Sequence, residues 1–233
     1  MPARELLSVW ERGSEEDPMH RALTVLAAAQ GGPVIDAAAV DVGTRDVLLA
    51  SLLQATAGDL VPACADCPRC GHVMDVPVDL AAVGGLPVHE PGEWLSVMVG
   101  GAQVRFRLPT TADLIALAGL PPARDRAALL AACLGAGSGE LPPADVASAV
   151  EDAMERAAPA GAIDILVRCP YCGLESALPL DVPALIWTEL DAQATALLRD
   201  VHDLATSYGW TEADVLALGP RRRAMYLALV DDA

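Results

Sequence analysis

Between Pro18 and Ala29 the apolar residues Ala22, Leu23, Val25, Leu26 and Ala29 recur at helical spacing, and Gly31-Gly32-Pro33 closes the run. That pattern predicts a helix. A second helix is predicted from Thr44 to Ala57, with Val47, Leu48, Ser51, Leu52 and Ala55 on one face and Gly58 as its stop. The longest periodic run lies near the end of the chain. From Pro183 to Tyr208 the positions Ile186, Leu190, Ala194, Leu197, Val201, Leu204 and Tyr208 step by three or four. Asp181 and Pro183 suit its start and Gly209 its stop. Two short helices follow. Thr211 to Leu218 has Thr211 as N-cap and Asp214 at the third helical position, and Pro220 to Val230 closes the chain. Residues 1–17 carry Glu, Asp, Gly and Ser with few apolar anchors, and read as a flexible segment.

Elsewhere the period changes from helical to twofold. Pro62 to Gly71 is turn-rich, and after it Val73, Asp75, Pro77 and Asp79 alternate with Met74, Val76, Val78 and Leu80. Trp94–Val99 and Gln103–Leu108 flank Gly100-Gly101, which predicts a hairpin with a two-residue turn. Arg105 and Arg107 fall on one face of its second strand, and Val104, Phe106 and Leu108 on the other. Helical patterns then occupy Ala112–Ala118, Arg124–Leu134 and the stretch from Pro142-Pro143 to about Ala157, the second of them ended by Gly135 to Gly139. Short strands are predicted at Asp164–Val167 and near Leu178–Leu180.

Composition narrows the function classes. The 233 residues carry 15 basic and 32 acidic side chains, a net charge of −17 that repels nucleic-acid backbones at long range. Every basic residue is Arg, and the sequence has neither Lys nor Asn. With the abundance of Ala, this reads as GC-rich coding, and the acidity as solubility. The 53% apolar content rests heavily on Ala and contains no long uncharged apolar run, so no membrane span is expected. Met1 to Trp10 lacks a basic segment followed by an apolar one, so no signal peptide is expected and the expected location is the cytoplasm.

The chemistry sits in one motif that occurs twice. Cys67-Pro68-Arg69-Cys70-Gly71 and Cys169-Pro170-Tyr171-Cys172-Gly173 are both C-P-x-C-G. A C-x-x-C turn brings two thiolates to one ion, its backbone amides point at the sulfurs, and the following Gly accepts a left-handed conformation. Four thiolates match a closed, tetrahedral, structural zinc site with Cys67, Cys70, Cys169 and Cys172 as ligands. Iron in a rubredoxin-like site, two separate thiol pairs and a redox dithiol are the alternatives. The two knuckles are separated by 98 residues (71–168), which implies a zinc ribbon interrupted by a large helical insertion. Cys64, three residues before Cys67, lacks the motif's context, and Cys133 lies in an apolar helix as a small buried hydrophobe.

Other constellations carry less. His89-Glu90 has no second His four residues on and reads as a surface loop. Gly84-Gly85 and Gly135-x-Gly-x-Gly139 read as turns, since a phosphate loop would need a Lys. His202 reads as a surface residue of the long helix. Arg221-Arg222-Arg223 reads as a solvated helix start or a docking patch rather than a DNA reader. Trp187, Tyr208 and Trp210 are expected to pack the terminal helices onto the long one, or, if exposed, to anchor an interface.

The order of these pieces resembles a known family. Thr44-Arg45-Asp46 opens a leucine-rich helix that leads into the first knuckle. Val104-Arg105-Phe106-Arg107-Leu108-Pro109-Thr110 follows, with Asp113-Leu114, a helical insert containing Leu129–Leu134 and the second knuckle. Leu185–Leu190, Leu197–His202, Tyr208-Gly209-Trp210-Thr211-Glu212 and Arg222–Leu227 complete it. Over about residues 20–230 this resembles small proteins encoded in bacterial contractile injection system clusters, which are similar to baseplate hub assembly chaperones of T-even phages. The resemblance implies a non-enzymatic role in building a baseplate, with hub, spike or baseplate proteins as partners.

The expected fold is therefore α+β and mostly helical, with a small antiparallel β zinc ribbon split by a helical insertion. The expected divisions are a flexible 1–17, N-terminal helices over 18–61, the split ribbon with its strands and insertion over 62–182, and C-terminal helices over 183–233. The expected function is a non-enzymatic assembly factor or minor structural component of a contractile injection baseplate, with no nucleic-acid or membrane partner. A zinc-ribbon adaptor in transcription or another nucleic-acid process is the alternative, with Arg69, Arg105, Arg107 and the 221–223 run as its basic patch.

Overall fold

The structure, a computed structural model, describes residues 1–118, 121–135 and 142–231. Among them are eleven α-helices and six strands, the strands paired in three two-stranded antiparallel sheets, so the fold is α+β and mainly helical. The first four helices are α1 (Ala3–Ser14), α2 (Pro18–Gln30), α3 (Val34–Ala39) and α4 (Val42–Ala57). Helices α1, α2 and α4 pack against α9 (Val182–Tyr208), whose residues Val182, Ile186, Leu190, Ala194 and Leu197 share the main core with Leu6, Leu23, Leu26, Leu49 and Leu53, while α3 packs on α2.

The N-terminal segment is not loose. Leu6, Leu7 and Val9 of α1 are buried, and the indole Nε1 of Trp10 donates to Asp191 Oδ1 on α9 at 2.8 Å. Gly13 lies against the Trp187 ring, over which Arg21 sits 4.3 Å from the centroid. Trp187 thus fastens the first two helices, not the terminal ones. The low average hydropathy of 1–17 conceals a narrow apolar stripe, which is enough to dock a helix. In α4 the buried face differs from the expected one. Val47 is buried, but the stripe runs through Asp46, Leu49, Ala50 and Leu53, while Ser51 and Ala55 are exposed.

Each knuckle sits at the tip of its own hairpin. Strands β1 (Leu60–Asp66) and β2 (Val73–Asp79) flank Cys67–Cys70, with Leu60 opposite Asp79 and Asp66 opposite Val73. Residues 62–66, expected as turn, are thus strand. Pro62 is tolerated because a two-stranded sheet consists of edges. Strands β5 (Asp164–Arg168) and β6 (Glu175–Pro179) flank Cys169–Cys172. The two hairpins share no ladder among the described residues. They meet through Cys67, Met74, Val76 and Cys169, with Ile165, Val167 and Leu178 against them.

Between the hairpins lies the insertion. It comprises α5 (Leu80–Gly84), the hairpin β3 (Leu95–Val99) and β4 (Ala102–Phe106), α6 (Thr111–Leu117), α7 (Pro122–Leu134) and α8 (Ala144–Ala157). A 3-10 turn at Pro159–Ala162 leads back to β5. Phe106, Leu108, Leu130, Ala147 and Val150 form its own small core. Helices α10 (Glu212–Leu216) and α11 (Pro220–Asp231) close the fold on the distal half of α9 through Leu204, Val215 and Leu218. Tyr208 and Trp210 stack there, and Tyr226 meets both rings edge-on. The glycine-rich stretch after Gly135 and the acidic Asp232 lie outside the described residues.

Candidate metal centre

The two hairpins bring Cys67, Cys70, Cys169 and Cys172 together, with all four sulfurs within 4.8 Å of one another. Cys67 Sγ lies 3.6 Å from Cys172 Sγ, and Cys70 Sγ 3.7 Å from Cys169 Sγ. Four sulfurs bound at about 2.3 Å to one tetrahedral ion stand about 3.8 Å apart, whereas a disulfide needs about 2.05 Å. These two pairs therefore have the spacing of shared coordination, and all six cysteines are free thiols.

The local backbone explains the convergence. The knuckles close in the same way: Cys67 N–H donates to His72 O and Gly71 N–H to Cys67 O, while Cys169 N–H donates to Leu174 O and Gly173 N–H to Cys169 O, all at 2.8–2.9 Å. Gly71 and Gly173 take φ of 66° and 70°, the left-handed conformation that glycine adopts without a steric penalty. In each knuckle the first Cys is buried and the second reaches further out, Cys70 being exposed.

Electrostatics separates the thiols. The backbone N–H of Cys70 does most to hold the Cys67 thiol down at about 6, against burial, with help from the Arg69 N–H and from thiol hydrogen bonds with Cys70 and Cys172. Cys70 receives a lowering hydrogen bond from the His72 backbone. Desolvation and the thiols of Cys67, Cys172 and Cys169 outweigh it and push Cys70 up to about 12. Four sulfurs this close cannot all ionise alone, and a bound cation removes that repulsion and deprotonates its ligands. The donor set fits a thiophilic metal ion and, once closed by four thiolates, leaves no coordination position for a substrate.

The other singled-out residues stand elsewhere. Cys64 lies on the outer face of β1, its thiol 3.7 Å from Asp75 Oδ1. Cys133 is fully buried, and burial pushes its thiol up to about 11. His202 is exposed on α9, as are Arg221 and Arg222 on α11, while Arg223 Nε donates to Asp200 Oδ2 at 2.8 Å. His89 lies in a loop, as expected, but is half-buried rather than on the open surface. Its side chain is 16% exposed and engages Glu93 and the carbonyl of Ala157.

Two polar pairs escaped the sequence reading. Arg107 donates to both carboxylate oxygens of Asp113 at 2.6 and 2.7 Å, and Asp113 also closes a capping box with Thr110 at the start of α6. Thr110 or Thr111 is the N-cap expected from the sequence and the structure uses Thr110, whereas no local spacing pairs Arg107 with Asp113. Arg45 is buried, donating to Asp46 Oδ1 at 2.7 Å and to Thr111 Oγ1 at 3.0 Å. Among the described residues no helix is long and apolar enough to cross a membrane. No family model matches the chain, and neither a curated protein nor a solved structure matches it.

Proposed function

We propose that the metal is zinc, that it is structural, and that the protein is a non-enzymatic assembly factor or minor structural component of a contractile injection system baseplate. The observation that carries the metal site is the convergence of Cys67, Cys70, Cys169 and Cys172, with the Cys67–Cys172 and Cys70–Cys169 sulfurs at tetrahedral-edge spacing. Thiolates suit a soft or borderline ion, and a four-thiolate zinc site closes its coordination sphere.

The assembly role rests on the family-like order of segments, from Thr44-Arg45-Asp46 through both knuckles to Tyr208-Gly209-Trp210. Hub, spike or baseplate proteins are the proposed partners.

The test is a tagged pull-down of the full chain from its native host at low and moderate salt, with partners identified by mass spectrometry. Hub, spike or baseplate proteins in free subcomplexes support an assembly factor, and their recovery from finished particles as well supports a structural component. Polymerase, ribosome or nucleic acid without such proteins overturns the proposal and favours a zinc-ribbon adaptor.

A further inference from the structure

The insertion leaves the first ribbon hairpin through α5 and returns to the second through the 3-10 turn after α8. One side chain spans its two ends. His89, in the loop between α5 and β3, places Nε2 3.0 Å from the carbonyl oxygen of Ala157, the last residue of α8. Its Nδ1 lies 3.1 Å from Glu93 Oε2 in the same loop. Its backbone N–H donates to Thr44 Oγ1 of α4 at 2.8 Å. The ring thus joins the outgoing strand of the neck to the returning one, while the backbone fixes both to the main body.

Both ring partners are acceptors only. A neutral imidazole has one N–H and one lone pair, so it satisfies one partner and points a lone pair at the other. With the proton on Nε2, the Nδ1 lone pair faces a carboxylate. With the proton on Nδ1, the Ala157 carbonyl at the end of α8 loses its donor. The imidazolium satisfies both, and a cation is also favoured at a helix C-terminus.

We propose that His89 is a pH-operated clamp at the neck of the insertion. It is closed when the ring is protonated and loosened when the ring is neutral. The surrounding charges fit this. The cavity of about 340 Å³ beside the ring is lined by Asp41 of the α4 N-cap, by Glu90 and Glu93 of the loop, and by Arg107. Arg107 is occupied by Asp113, and Asp41 accepts the Thr44 N–H. From α8 the terminal carbonyl faces the ring, and the last-turn Glu155 and Arg156 are exposed. Burial works against the charged ring, but the Ala157 carbonyl and Glu93 outweigh it, and Asp41 adds to them, so the His89 pKa lies above its ordinary value. A raised folded-state pKa gives a contribution that is complete below the ordinary His value and is lost as pH rises through the folded one.

The full chain is titrated by NMR to read the His89 ring pKa, and amide-exchange protection factors are measured for 86–94 and 157–162 across the same pH range. Wild type is expected to titrate above the ordinary His value. Its neck protection should fall across that step by about tenfold for each unit of elevation. Glu93→Gln, a change at a half-exposed side chain, is expected to lower the His89 pKa and move the step to lower pH. His89→Gln is expected to abolish the step. A ring pKa at or below the ordinary value overturns the clamp, as does protection that stays flat through the titration, or an equal step in His89→Gln.

Discussion

Cys67 and Cys172 stand 105 positions apart in the chain, yet their sulfurs lie 3.6 Å from each other across the two knuckles. No strand pairing joins the two hairpins among the described residues, so the contact depends on a few apolar side chains and on whatever the sulfurs hold. Apparent binding free energies of structural zinc in small peptides are about 10 kcal/mol or more, comparable to the whole stability of a domain. The full chain is expected to bind one metal ion, and chelation or Cys169→Ser to lower its melting temperature sharply. Elemental analysis together with thermal melting checks this. An unchanged melt after confirmed metal loss would remove the stapling role.

Gly13 tests the docking of the N-terminal helix. In an exposed helix Gly→Ala stabilises by about 1 kcal/mol. Here an added Cβ would lie 2.6 Å from Trp187 Cζ3, with the ring covered on another side by Arg21. Gly13→Ala is therefore expected to destabilise by about 1–3 kcal/mol, the cost of overpacking a buried contact. Urea melts of Gly13→Ala, Trp187→Ala and the double variant should show strong non-additivity. A stabilised or neutral Gly13→Ala would mean that α1 is not seated on α9 as described.

What the sequence made legible, and what it did not, follows from the range of each signal. The knuckles, the Gly100-Gly101 hairpin and the α9 period are local. Each is written within a few residues or one repeating face, and the four cysteines that converge could be named from Cys-Pro-x-Cys-Gly alone. The docking of α1 depends on Trp187 and Asp191, far along the chain, so a polar-looking segment gave no sign of it. His89 lies in a loop as its sequence context suggests, but the partner that half-buries it is a backbone carbonyl 68 positions later, which no side-chain motif encodes. The buried face of α4 differs from the one its apolar spacing suggests because Arg45 and Asp46 look solvent-facing until Thr111 supplies the partner.

Asp113 supports two elements at once. Burial raises its pKa, and the Arg107 and Thr110 hydrogen bonds overcome that, leaving the carboxyl below its ordinary value. A depressed carboxylate pKa contributes stability that is present above the unfolded value and lost as pH falls through the folded one. Asp113→Asn removes the charged half of a bidentate pair and weakens the α6 capping box, and is expected to cost about 2–3 kcal/mol at pH 7. Denaturant melts at pH 7 and pH 3 should show the deficit shrinking in acid. An equal deficit at both would assign the loss to packing instead.

Arg45 offers the sharpest test of the buried polar contacts between α4 and α6. It is 7% exposed, Asp46 is 6% exposed and Thr111 is fully buried, so neither charge has water to fall back on. Burial is the largest influence on Asp46 and raises its pKa, while the Arg45 hydrogen bond and charge oppose the rise. Arg45→Met keeps the bulk and removes the opposition, leaving a buried carboxylate without its cation. Breaking such a pair costs about 3–5 kcal/mol, far more than an exposed pair is worth. The sign with pH is opposite to that at Asp113. A carboxyl whose folded pKa is raised destabilises the fold where it must ionise, so stability recovers as pH falls and the group takes up a proton. The deficit of Arg45→Met relative to wild type should therefore narrow from pH 7 toward pH 4.5, and Arg45→Met with Asp46→Asn should recover part of it at pH 7. Chemical denaturation across that range checks both. A deficit that stays constant with pH, with no recovery in the double variant, would show that the guanidinium acts by filling space and not by holding the Asp46 charge.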